Sequence, residues 1–237
     1  MSPERLLIVN ADDLGLSPGV NAGIVAAHER GIVTSASLMV RAQAAAEALA
    51  SAAAHPGLAV GLHLDVVEWQ YEDGEWRVSY ERCPPEDAAA VEAECRGQLA
   101  AFRELAGRDP THLDSHQHTH MSEPVASVAA GMAAELGVPL RARGIRYEGG
   151  FYGQTGKGEP YPAGIEAEHL VALIEALPPG RTELGCHPAI GDDTGSSYAR
   201  ERAQELRALC AAEVKTALDR EEVKLRSFAQ IASPPGR

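Results

Sequence analysis

The sequence predicts an α/β fold in which about seven or eight parallel strands close into a (β/α) barrel. Three observations predict it. Short apolar runs alternate with helical stretches over the whole 237 residues. The runs are rich in branched residues, as strands buried on both faces are. Polar, chemistry-bearing residues recur where several of these runs end, and closure into a barrel gathers such ends on one face, which favours it over an open sheet. Length alone permits one domain or two, and the motifs below favour a single catalytic domain over 1–237.

Leu6 to Val9 is the first strand and stops at Asn10-Ala11-Asp12-Asp13, placing two carboxylates at a strand's C-terminal end. Ser17 and Pro18 supply an N-cap and a first helical residue, after which Val20, Ile24, Val25 and His28 keep helical spacing until Gly31. Ile32 to Val40 reads as a strand, Ala42 to Ala54 as a helix, and Leu58 to Leu64 as a strand carrying His63. Val66 to Pro85 breaks the rhythm. Its Trp69, Tyr71, Gly74, Trp76 and Tyr80 among charges predict a loop or small hairpin at about 65–85, a usual place for substrate contacts.

Glu86 to Leu105 is helical, and Gly107 ends it before the strand Thr111 to His116. A helix from Glu123 to Leu136 leads to a strand near Leu140. The glycine-rich segment Gly144 to Pro162, with Phe151 and Tyr152, has no periodicity and reads as a second loop excursion. Helix Glu166 to Leu177, strand Glu183 to His187, helix Tyr198 to Ala217 and a short strand near Leu225 to Phe228 complete the pattern.

A formal net charge of -13 argues against nucleic acid or an anionic membrane as partner. Arg141, Arg143 and Arg146 are the nearest thing to a basic patch, and an exposed strand with its following loop is at least as good a reading of them as an anion site. Cys83, Cys95, Cys186 and Cys210 stand too far apart for a zinc knuckle or a disulfide framework. The start has no signal-peptide core and no apolar stretch could span a bilayer, so a soluble cytoplasmic protein is expected.

The polar groups at strand ends are Asp12 and Asp13, His63, Asp114 and His116, and His187. One carboxylate with two imidazoles is a sound ligand set for a divalent ion, zinc, cobalt, nickel or manganese, with magnesium less suited to imidazole. Such a set leaves positions open for water and a substrate oxygen, and a second carboxylate can accept the water's proton. Adjacent Asp12 and Asp13 can divide these two roles. In His112 to His120 three histidines alternate at period two, but the strand ends near His116, so only His116 is placed inward. Any one histidine is more often a hydrogen-bonded structural residue than a ligand, which is the reading for His28, His55 and His169. Four signals at successive strand ends are less easily accidental.

Five blocks of the sequence, residues 7–21 (LIVNADDLGLSPGVN), 31–35 (GIVTS), 61–64 (GLHL), 111–120 (THLDSHQHTH) and 186–188 (CHP), resemble the YdjC/ChbG carbohydrate deacetylases. The resemblance implies a distorted, TIM-like (β/α) barrel, often a homodimer, acting on the N-acetyl group of an amino sugar or chitooligosaccharide. It implies Asp13, His63 and His116 as ligands of one divalent metal ion and Asp12 as base. By analogy with related polysaccharide deacetylases, His187 is the acid for the leaving amine. Leu14 stands where many relatives have Phe, and residues 66–85 match nothing closely, so the particular sugar stays open. Two rivals are a metal-dependent phosphoesterase on a barrel scaffold and a non-catalytic sugar-binding module using the loop aromatics.

Overall fold

The computed structural model describes residues 4–191 and 198–231, and β1 (Arg5–Leu14) is its central strand. The start of the chain and part of the segment before Tyr198 lie outside the described residues. Helix α1 (Pro18–Arg30) follows β1, capped as its sequence dictates: Val20 N–H donates to Ser17 Oγ at 3.1 Å, and proline occupies the first turn. Next come β2 (Ser35–Leu38), α2 (Ala45–Ala53), β3 (Ala59–Leu64), a hairpin of β4 (Val67–Glu72) and β5 (Glu75–Glu81), α3 (Ala88–Ala106) and β6 (Leu113–Ser115). The chain continues through α4 (Val125–Leu136), β7 (Arg146–Glu148), α5 (Ala167–Glu175), β8 (Gly180–Cys186), α6 (Ala199–Leu209), α7 (Ala212–Arg220), β9 (Val223–Leu225) and α8 (Phe228–Ile231).

Seven strands form one parallel sheet in the order β6-β3-β2-β1-β8-β7, with β9 also on β1. β2 pairs with Asn10 to Leu14, while β9 takes Arg5 to Leu7, so the long central strand serves two neighbours on one edge. Leu7, Val9, Ala11 and Leu14 belong to the core shared with the helices. The sheet is a curled half-barrel flanked by helices. Beyond β6 only Leu140 pairs, as a single bridge to Leu113, and among the described residues no ladder joins it to β7.

The strand expected near Leu140 is cut short because the chain turns at once: Ala142 adopts φ 60°, and Arg141 is swallowed by the interior. The reading of Arg141 as an exposed strand residue is therefore corrected, although Arg143 and Arg146 are exposed as expected. Residues 144–162 contain the short strand β7, and residues 66–85 form the anticipated hairpin. The helix expected from Tyr198 to Ala217 is two helices, broken at the extended Ala211 so that α6 packs on α1 and α7 on α5. Phe228, expected in the last strand, instead opens α8 and stacks on His112 at 3.9 Å. No described helix is long and apolar enough to cross a membrane.

Candidate active site

The carboxyl end of β1 does not run straight. Its register with β2 shifts between Ala11 and Leu14, and Asp13 takes φ 65°, a region that side chains other than glycine rarely occupy. That twist turns Asp12 and Asp13, neighbours in sequence, toward different partners. Such backbone persists only where surrounding contacts hold it. Here Arg202 from α6 donates to Asp13 Oδ2 at 2.6 Å, and Arg141 grips Asp12 through Nη1 at 2.7 Å and Nη2 at 2.6 Å.

Asp13 Oδ1 faces His63 Nε2 at 3.4 Å and His116 Nδ1 at 3.2 Å. His63 stands at the end of β3; His116 follows β6 and starts a turn in which Gln117 and His118 both have positive φ. The structure thus brings Asp13, His63 and His116 together, their ligating atoms within 4.8 Å of one another. Asp13 Oδ1 is buried without a well-formed hydrogen bond. Ligands about 2.1 Å from one ion stand roughly 3.0–3.4 Å apart, so these separations fit a shared divalent cation. The outer partners fit as well: His63 Nδ1 lies 2.8 Å from Asp114 Oδ1, and His116 Nε2 lies 3.6 Å from Glu68 Oε2 on the hairpin, the carboxylate–histidine arrangement that fixes a metal-binding imidazole. Burial disfavours charge on His116, yet hydrogen bonding to Asp13 and Glu68 outweighs it and lifts its pKa to about 9. Burial likewise opposes the ionised form of Asp13, but Arg202 and both imidazoles hold its carboxyl well below the usual range.

Asp12 lies on the other side of the bend. Asn10 Nδ2 donates to its Oδ1 at 2.8 Å, and its Oδ2 is 3.9 Å from His187 Nε2. Burial disfavours its charge, and the Arg141 guanidinium overrides that penalty, leaving the carboxyl strongly depressed in pKa. Arg141 also reaches Asp114 at 2.9 Å and Glu183 at 2.7 Å, so one cation serves three carboxylates from β1, β6 and β8. The shortfall shows on Glu183, which burial pushes up to about 7. His187, just past β8, is held by Glu205 of α6, which accepts from its backbone N–H and stands 3.6 Å from its Nδ1. Tyr198 donates to the same carboxylate at 2.5 Å.

These groups open into a cavity of about 700 Å³ lined by Asp12, Asp13, His63, His116 and His187 together with Glu68, Trp69, Tyr71, Trp76, Tyr147, Tyr152 and Arg202. His118 also lines it, with Nε2 3.3 Å from Tyr147 Oη, whereas His120 turns back onto Ser115 at 2.6 Å. Burial lowers the pKa of both to about 4. Of the loop aromatics, Tyr80 is diverted to a 2.8 Å hydrogen bond with Asp65. His28 and His169 bond backbone carbonyls and His55 bonds Ser51 and Glu29, as structural residues do.

Sequence reasoning missed Arg141, Arg202, Glu205 and Glu68. Arg141 follows the strand expected near Leu140 but stands among exposed arginines, Glu68 lies on the 65–85 excursion, and Arg202 and Glu205 lie on a helix, where a charged residue reads as solvated surface. The lone signal was the arginine density at 141–146, where two of three arginines are indeed exposed.

The family model described as YdjC-like protein matches residues 6–220. The chain is 34% identical over 251 residues to a Brevibacillus brevis protein named carbohydrate deacetylase, covering 95% of this chain and 99% of that one. It is 34% identical over 253 residues to a Klebsiella pneumoniae protein named chitooligosaccharide deacetylase, covering 96% and 100%. A crystal structure from Enterococcus faecalis V583, described provisionally as a cellobiose-phosphate cleavage protein, superposes with a TM-score of 0.80 at 25% identity over 97% of this chain and 100% of that one.

Proposed function

Because the chain belongs to the YdjC-like family, we infer that it is a carbohydrate deacetylase, hydrolysing the N-acetyl group of an amino sugar or chitooligosaccharide and releasing acetate. The observation that carries this reading is the division of labour across the β1 bend: Asp13 joins two imidazoles while Asp12 faces His187 across the same cavity.

In the proposed mechanism Asp13, His63 and His116 would hold one divalent ion. Asp12, kept ionised by Arg141, takes the proton of the attacking water. The ion pair makes Asp12 a weak base, and a divalent ion supplies the Lewis acidity that a weak base requires. His187, steadied by Glu205, gives a proton to the departing nitrogen as the C–N bond breaks, so that acetate and a free amine leave. Arg141 and Arg202 act as positioning residues, one for each aspartate.

A phosphoesterase with two metals finds little support. The second carboxylate–imidazole group, Asp12, His63 and Asp114, is crossed by the Arg141 guanidinium, and the one arginine lining the cavity, Arg202, is engaged by Asp13. A purely binding module has no use for an aspartate held ionised beside a ligand trio. The same reading treats the chain as one catalytic domain working on a sugar in the cytoplasm as a homodimer. The acidic net charge of -13 supports the exclusion of nucleic acid and anionic membrane as partners.

The test is acetate release from a panel of N-acetylated mono- and oligosaccharides by metal-stripped protein, with zinc, cobalt, nickel, manganese or magnesium added back. Acetate that depends on added metal is expected. Silence across the panel, with turnover of a generic phosphate ester, would overturn the reading.

A further inference from the structure

The β4–β5 hairpin is held in place at the reacting end. Gln117, next in sequence to His116, donates from Nε2 to Trp69 O at 2.8 Å and accepts from Trp69 N–H at 2.9 Å. One side-chain amide thus pairs with the strand as a neighbouring strand would. Trp69 is itself next to Glu68, the hairpin carboxylate that faces His116. The clamp fixes the near end of the hairpin against the turn that carries His116.

From there β4 continues through Tyr71 to Glu72. Tyr71 stands three positions beyond Glu68, roughly 10 Å at strand rise, farther than one sugar ring reaches. Tyr71 and Trp76 face each other across the hairpin, their rings edge-to-face at 5.4 Å and 66°, and both line the cavity. Trp76 is 55% exposed, an indole left in water. The hairpin also approaches the opposite wall, since a methyl placed on Gly158 would lie 3.6 Å from Tyr71 Cβ.

We propose that Trp76, backed by Tyr71, is a stacking platform for a sugar residue beyond the one being deacetylated, and that Gln117 positions this platform relative to His116. The inference rests on the deacetylase reading and deepens it: the substrate class is an oligosaccharide, not a free N-acetylated monosaccharide. A pyranose presents apolar C–H faces to such a ring, and the ring spends little conformational freedom in receiving it. Substrate held only at the ligand trio does not reach Trp76, so the residue discriminates by chain length.

The experiment compares kcat/KM on N-acetylglucosamine and on its β-linked chitin trimer. Trp76→Ala should lower the trimer-to-monomer ratio about ten-fold, mainly through the trimer KM, and Trp76→Phe should restore most of it. Gln117→Ala should lower the ratio in the same direction. A ratio unchanged in Trp76→Ala, or equal losses on both substrates, overturns the proposal. Trp69 and Trp76 are the chain's two tryptophans, so intrinsic fluorescence reports on the hairpin alone. Metal-stripped protein should change its emission with trimer and not with monomer, whether or not acetate is ever released. No spectral change at millimolar trimer would overturn the platform, and a change accompanied by no acetate release from any sugar of the panel once metal is restored would sustain it while removing the deacetylase reading.

Discussion

Arg141 meets Asp12 end-on, Nη1 and Nη2 each on one carboxylate oxygen, across 129 positions of sequence. Bidentate pairs of this kind fix orientation as well as charge. Asp12 is thereby held with Oδ2 3.9 Å from His187 Nε2 at the cavity.

Asp12→Asn should keep the ligand trio and lose turnover by roughly 10²–10⁴-fold, the usual contribution of a general base. Metal content per chain, measured beside acetate release, separates the two effects. A variant within ten-fold of wild type would remove Asp12 from the base role.

His116→Ala should lose both metal and turnover, because it removes one of three ligands and leaves Glu68 facing an empty position. Glu68→Gln should weaken metal affinity by roughly 10–100-fold while keeping the full ligand set. Competition with a chelator gives both numbers, and unaltered affinity in His116→Ala would discard the ligand assignment.

Arg141→Met strips the countercharge from Asp12, Asp114 and Glu183 at once. Breaking a buried pair by removing one partner costs about 3–5 kcal/mol. Urea unfolding should therefore show a large fall in midpoint, and a loss below about 1 kcal/mol would mean that water reaches the cluster.

What the sequence made legible was whatever a strand end announces. Asp12, Asp13, His63, His116 and His187 follow short apolar runs, and parallel strands gather their carboxyl ends on one face. The excursion at 65–85 was visible because Trp69, Tyr71, Gly74, Trp76 and Tyr80 among charges break the strand–helix rhythm. Arg141 follows the strand expected near Leu140 but, like Arg202, carried no local sign of burial. That burial is set by carboxylates on other strands, with Asp12 129 positions from Arg141 and Asp13 189 from Arg202, and no local pattern encodes it. The break between α6 and α7 was equally silent, since Cys210-Ala211 carries neither glycine nor proline and tertiary packing alone bends the chain there.

His112 should make the protein acid-sensitive. It is fully buried against Phe228, and burial lowers its pKa to about 4 from 6.5. A folded value below the unfolded one means that the unfolded chain binds more protons between those limits, so stability falls as pH drops from about 6.5 to 4. The contribution is roughly 3 kcal/mol across that window. In metal-stripped protein the loss should shrink by that order in His112→Gln; equal slopes for both proteins would contradict it.

Gly23 on α1 lies against the chain just beyond His187: a Cβ there would stand 2.3 Å from Ala189 Cα. Backbone does not yield cheaply, so Gly23→Ala should displace the Cys186–Ala189 segment and lower kcat, with a stability loss of about 1–3 kcal/mol. Unchanged kcat and melting temperature would show that α1 can withdraw without cost.

The pairing of β1 also sets an order of events. The strand that supplies both aspartates is completed on one side by β8 and on the other partly by β9, so that Cys186 Sγ reaches Asn10 O across 176 positions. On a ribosome, β1 would pair with β2 soon after both emerge, and would wait for most of the described chain before β8 covers its other edge. Non-local pairing of this sort slows folding and leaves an apolar strand exposed meanwhile. The bend at Asp13 is therefore expected to form among the last features of the molecule, after the scaffold that holds it.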